Sequence, residues 1–173
     1  MTQQAHNSMA VIMTVLVTIV MWMTAIIGIL FLIAAGMGLV SLGSETPIEL
    51  GGITVGDQPV GAPQLIAGIL GAIVIIPGIL FVCYQLRKIL ATLASGDPFV
   101  PENASRLSRI AVAIALIQLL RIAISVGMGL TVKGTHIVFS LDIVAWASVA
   151  ALFILSQVFR EGTRLRDEEK MTI

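Results

Sequence analysis

Along this chain four apolar runs, each about twenty residues or longer, alternate with short polar segments that differ in charge. The runs are Met9 to Val40, Leu65 to Tyr84, Ile110 to Val132 and about Ile137 to Phe159. Crossing about 30 Å of hydrocarbon takes about 20 helical residues, so each run predicts a membrane span. A half-buried strand or a surface helix would interrupt the run with polar residues at its own period. The pattern predicts an all-α membrane protein, a four-helix transmembrane bundle forming one domain over 1–173. Its spans fall at about 9–40, 64–90, 106–132 and 137–160, with outer loops 41–63 and 133–136, an inner turn 94–101 and a tail 161–173. The first span exceeds what the bilayer needs, which predicts tilt or projection beyond the hydrocarbon. The start, MTQQAHNS, lacks a basic n-region and the run after it is too long for a signal h-region, so this span is expected to be retained.

Beyond the second run the helical pattern continues. Leu86, Ile89, Leu90 and Leu93 repeat at i, i+3, i+4, i+7, with Arg87 and Lys88 on another face. Ser95-Gly96-Asp97-Pro98 then stops the helix, because Gly and Pro both disfavour its continuation. Pro101 suits a first helical turn and Glu102 favours the same N-terminus through the helix dipole. Ala104, Leu107, Ile110 and Ala111 take up the apolar spacing again. A helical hairpin projecting from the membrane is expected; the alternative is that both apolar faces rest on lipid headgroups. On the opposite side Gly51-Gly52 lies between Pro47–Leu50 and Ile53–Val55, the form of a two-residue hairpin turn. A small extracytoplasmic β-hairpin lid, pairing with Thr131 to Leu141, is one reading of this loop and a disordered loop the other.

Charge gives the orientation. Segment 41–63 carries Glu45, Glu49 and Asp57 without a Lys or Arg, and the third connection has only Lys133. Arg87, Lys88, Arg106, Arg109, Arg160, Arg164, Arg166 and Lys170 all fall on the other side. The positive-inside rule then puts both termini in the cytoplasm of a cell whose inner membrane the chain crosses.

Composition narrows the function classes. Hydrophobic residues make up 57% of the chain and charged residues 12%, about half the soluble average. The net charge is +0, so no overall field attracts nucleic acid, and no direct nucleic-acid contact is expected. Cys83 is alone, and His6 and His136 fall on opposite sides, so no disulfide, metal or cofactor is expected. Walker-type, HExxH and GxSxG patterns are absent and no nucleophile–base pair stands out. An enzyme is the weakest reading, and no catalytic residue is assigned.

Two segments are more specific. LASGDPFVPENASRLSRIA follows the second span and LSQVFREGTRLRDEEKMTI follows the fourth. Together they resemble the domain of unknown function (DUF) 2975 family of small bacterial four-span membrane proteins. The family's Gly-x-Pro-Phe, Asn and Leu fall on Gly96, Pro98, Phe99, Asn103 and Leu107. Its pattern after the last span falls on Phe159, Gly162, Leu165, the acidic pair Glu168 and Glu169, and the closing Thr172 and Ile173. Val100 stands where the family often has Ser or Thr, so the N-cap of the third helix must come from elsewhere, with Asp97 or water as candidates. The resemblance implies frequent encoding beside a small helix-turn-helix regulator, and hence such a protein as a cytoplasmic partner. The matched residues are the candidate docking surface. The alternative for the tail is a frayed, solvated helix end whose Arg160, Arg164 and Arg166 meet anionic headgroups.

Arg121 is the chemical anomaly of the spans. It falls near the centre of the third, where a charge costs about 2.5–3.5 kcal/mol on insertion scales, so it should face protein or water. Gln118 and Ser125 lie one turn either side, and Asp142 is the one acid within a span. Arg121 and Asp142 differ in depth by about 7–8 Å, within reach of a long side chain. A pair between them, direct or through Gln118 or water, is expected, serving to fix helix register or to form a ligand or ion pocket; a wet interface lined by Arg121 is the third reading. Arg does not release its proton, which argues against a proton-coupled pump. Pro77-Gly78 predicts a kink in span two. Small residues four apart, such as Ala67/Gly71 and Ala111/Ala115, allow close helix contact and a homo-dimer. The expected partners are thus the lipid bilayer, a cytoplasmic protein and a second copy. A regulator or sensor is the leading reading, and a small transporter or channel subunit with a polar site at Arg121 the alternative.

Overall fold

In a computed structural model, which describes residues 2–42, 62–97, 99–131 and 142–171, the chain forms four long helices. They are α1 (Thr2–Leu42), α2 (Ala62–Ala94), α3 (Pro101–Thr131) and α4 (Ile143–Met171). Each contains a stretch long and apolar enough to cross a membrane. The fold is an all-α four-helix membrane bundle, and no strand occurs among the described residues. The β-hairpin lid, with its pieces at 47–55 and 131–141, lies outside the described residues except for Thr131, the last residue of α3.

The helices pack in chain order: α1 on α2, α2 on α3, α3 on α4. Among the described residues α1 does not come close to α4, so the four helices stand as a row. Glycine sets the α1–α2 seam. A Cβ at Gly28 would lie 2.8 Å from Ile76 Cδ1, and one at Gly38 would lie 3.3 Å from Leu65. Thr14, Thr18 and Thr24 return their hydroxyl protons to carbonyls four residues back, which hides the polar group inside its own helix.

The helix ends have identifiable chemistry. α2 closes with Gly96 N–H donating to Leu93 O and Asp97 N–H to Thr92 O, each at 3.1 Å. This is a Schellman motif, and Gly96 takes the left-handed position at φ 82° that a Cβ would oppose. α3 opens on Pro101, with Asn103 N–H donating to Val100 O at 2.9 Å. Asp97 does not cap α3, because its carboxylate pairs with Arg166. α4 starts at Ile143, where Asp142 Oδ1 accepts from Ala145 N–H at 3.1 Å as an N-cap. The residues expected at the start of the span, from 137, lie outside the described residues up to 141. The helix then continues to Met171, so the segment expected as a tail is helical through that residue.

At the end where α2 turns into α3, Ile89, Leu107 and Ile110 form a buried cluster with Val82, Leu86, Leu93, Ile114, Leu152 and Phe159 packed on it. The apolar faces of the hairpin thus meet each other and α4. The basic residues Arg87, Lys88, Arg106, Arg109, Arg160, Arg164 and Arg166 all belong to this end, called the basic end below.

Candidate functional site

Phe99, Asn103, Leu107, Phe159 and Gly162 converge at the basic end into a clasp between the α2–α3 turn and α4. Asn103 is its polar centre, with 0% of its surface exposed. Its Nδ2 donates to Thr92 Oγ1 at 2.7 Å, and its Oδ1 accepts from Arg106 Nη1 at 2.8 Å. Thr92 passes its own proton to Ile89 O at 2.7 Å, and Arg106 also reaches Lys88 O at 3.3 Å. The N-terminus of α3 is thereby tied to the last turns of α2. Lys88 Nζ in turn lies 4.4 Å from the centre of the Tyr84 ring, a cation–π contact on the outer face of α2.

α4 is held by a second set. Ser156 Oγ donates to Ala104 O at 2.8 Å, so the hydroxyl proton of the 2.8 Å contact with Ser108 comes from Ser108. Phe99 lays its ring on α4, with its centroid 5.6 Å from that of Phe159. A Cβ at Gly162 would come within 2.9 Å of the Phe99 ring, which is why a glycine interrupts α4 there. The Thr163 hydroxyl donates to Phe159 O at 2.9 Å and lies 3.3 Å from Phe99 O. Arg166 pairs with Asp97 across the rim. No buried side-chain nitrogen or oxygen among the described residues lacks a partner.

The candidate docking residues therefore divide. Asn103 and Leu107 are buried, Phe159 is partly buried against the cluster, and Gly162 lies under Phe99. Phe99 is 41% and Leu165 52% exposed, and Gly96 faces outward at the turn. Pro98, Thr172 and Ile173 lie outside the described residues. Sequence reasoning missed Thr92, Arg106, Ser156 and Thr163. Ser156, Phe159 and Thr163 stand at i, i+3, i+7, so two hydroxyls on an apolar helical face were the available signal. Two of the three tail arginines carry ion pairs within the protein. Arg166 holds Asp97, and Arg164 pairs with Glu161 at 2.8 Å and Glu168 at 3.4 Å.

The intramembrane candidates are not brought together in the same way. Arg121 is exposed on α3 and, with Ser125, borders a hollow of about 250 Å³ between α2 and α3. Gln118 is half-buried and is not among the residues lining that hollow. Asp142 caps α4, and no ion pair joins it to Arg121 among the described residues. The Asp142 carboxylate is thus used at a helix start.

Four apolar helices with a clasped polar end define a multi-pass α-helical membrane protein. The model of the family described as "Protein of unknown function (DUF2975)" matches residues 51–173, and the chain belongs to that family. No curated protein and no solved structure matches it.

Proposed function

We propose that the protein is a non-enzymatic membrane regulator or sensor that holds a soluble protein at its basic end. On the positive-inside reckoning that end is cytoplasmic. The observation that carries this reading is that the clasp buries its polar core yet leaves Phe99 and Leu165 turned outward. Leu165 follows Gly162, on which the Phe99 ring lies, by three residues and so falls on a neighbouring part of the same side of α4. An exposed aromatic ring beside an aliphatic group on a fixed, basic scaffold suits a protein partner, since a few aromatic and arginine anchors carry most of the energy of an interface. The partner implied by the family resemblance is a helix-turn-helix regulator. Rearrangement of the row of helices would then release or re-present it.

Crosslinking in native membranes followed by affinity purification tests this, comparing wild type with Leu165→Asp. A soluble protein recovered with wild type and lost with Leu165→Asp is the expected result. Equal recovery with both, or of this chain alone, rejects the reading. Asn103→Ala is unsuited to the purpose, because a buried residue reports on the clasp and not on its surface. The alternative, a small transporter or channel subunit, draws on Arg121 and Ser125 at the α2–α3 hollow. It predicts that Arg121→Gln abolishes flux while Leu165→Asp leaves it intact.

A further inference from the structure

A second and larger groove runs along the α2–α3 face towards the basic end, with a volume of about 580 Å³. Val74, Pro77 and Phe81 form one wall, and Val112, Leu116 and Leu120 the other. The helices meet where Gly78, lacking a Cβ, lies against Ile117, and the groove opens beside that contact. Its walls are almost wholly apolar, and Ser108 and Arg109 are the polar residues that border it, both at the end where the apolar run of α3 begins. The Ser108 hydroxyl is already given to Ser156. Arg109 is different: it is exposed and makes no ion pair with a described residue. The neighbouring cations are engaged within the protein, Arg106 with Asn103 and Lys88 with Tyr84.

From Arg109 to Leu120 the helix rises about 16 Å. That is close to half of the roughly 30 Å hydrocarbon thickness, the depth of one leaflet. A slot one leaflet deep, bordered at its basic end by an arginine without an ion pair to a described residue, has the shape and charge of one ligand class.

We infer that this groove binds one acyl chain of an anionic phospholipid, with the headgroup phosphate on Arg109. The site does not depend on the docking reading. Its charge sits at the membrane boundary, where an Arg fork can hold two phosphate oxygens at once. Its apolar walls select for a chain and Arg109 selects for the headgroup.

The test uses the full chain in phosphatidylcholine nanodiscs containing phosphatidylglycerol with a photoactivatable group in its acyl chain. After illumination, adducts should concentrate on 74–81 of α2 and 112–120 of α3. Arg109→Gln should lower their yield about fivefold, the effect of one basic residue near a charged surface. Arg109→Lys should retain most of the yield, and Arg160→Gln on α4 should leave it unchanged. Val112→Trp, at an exposed wall position, should remove the groove adducts while thermal unfolding stays at the wild-type temperature.

Adducts spread evenly over the apolar faces of all four helices would overturn the proposal. So would equal labelling by a phosphatidylcholine probe, or a yield unchanged in Arg109→Gln. Absence of groove adducts together with disulfide-linked dimers of Leu116→Cys would assign the groove to a second copy instead.

Discussion

The basic end and the apolar lengths of the row are built on opposite terms. At the basic end, Asn103, Ser156 and Thr163 are buried and hydrogen-bonded, and Ile89, Leu107 and Ile110 pack beneath them. Along α1 the outer surface is Val, Ile, Leu and Met, and the seam to α2 is set by Gly28, Gly38 and Phe31 against Gly68. Lipid tails are as apolar as leucine, so helices inside the bilayer gain nothing from hiding apolar surface and associate through close backbone approach. If this end projects from the hydrocarbon, burying the Ile89 cluster is favourable in its own right; in either setting specific polar bonds fix which surfaces meet. The contrast teaches that the two regions should fail differently: one by losing a partner for a polar atom, the other by gaining a methyl group.

The sharpest break is Asn103→Ala. It takes an acceptor from Arg106 and a donor from Thr92 in a closed interior, and should cost about 3 kcal/mol. Thermal unfolding in detergent micelles measures it, with the lipid-facing Ile154→Ala as control; equal shifts for the two would remove Asn103 from the centre of the clasp. Next is Gly28→Leu, which forces a side chain into Ile76 and should cost about 1–2 kcal/mol. Its signature is geometric: a short bismaleimide should bridge Phe31→Cys and Gly68→Cys in the parent and fail to do so in the Gly28→Leu background. Retention of that crosslink would mean the seam is looser than its glycines indicate. The smallest effect belongs to Asp97→Asn, because the Asp97 and Arg166 side chains are 43% and 40% exposed. A loss of about 0.2–1 kcal/mol is expected, vanishing at high salt; a larger, salt-independent loss would make the ion pair part of the buried clasp.

The spans were legible because membrane partition is a sum over composition, and each run carries it locally. The stop at Ser95–Asp97 and the start at Pro101 were legible for the same reason: Gly96 and Pro101 act on their own backbone. The clasp was legible only as a set of patterned residues. Phe99, Asn103 and Gly162 stood out, yet they read as a surface, whereas in the fold Asn103 is interior and Gly162 is a seat for Phe99. The partners that make it a clasp, Thr92, Ser156 and Thr163, carry no mark in isolation; their hydroxyls matter because another helix arrives at hydrogen-bond distance.

Sequence by itself determined four apolar helices, their punctuation and the concentration of basic residues at one end, since these follow from local composition and backbone preference. Tertiary structure alone decided that the helices stand in a row, that Asp142 caps α4, and that Arg109 borders a groove between α2 and α3. Those outcomes depend on which faces of helices tens of residues apart come into contact. A hydropathy pattern that is apolar on every side of a span does not encode that choice, because lipid accepts all of those faces equally.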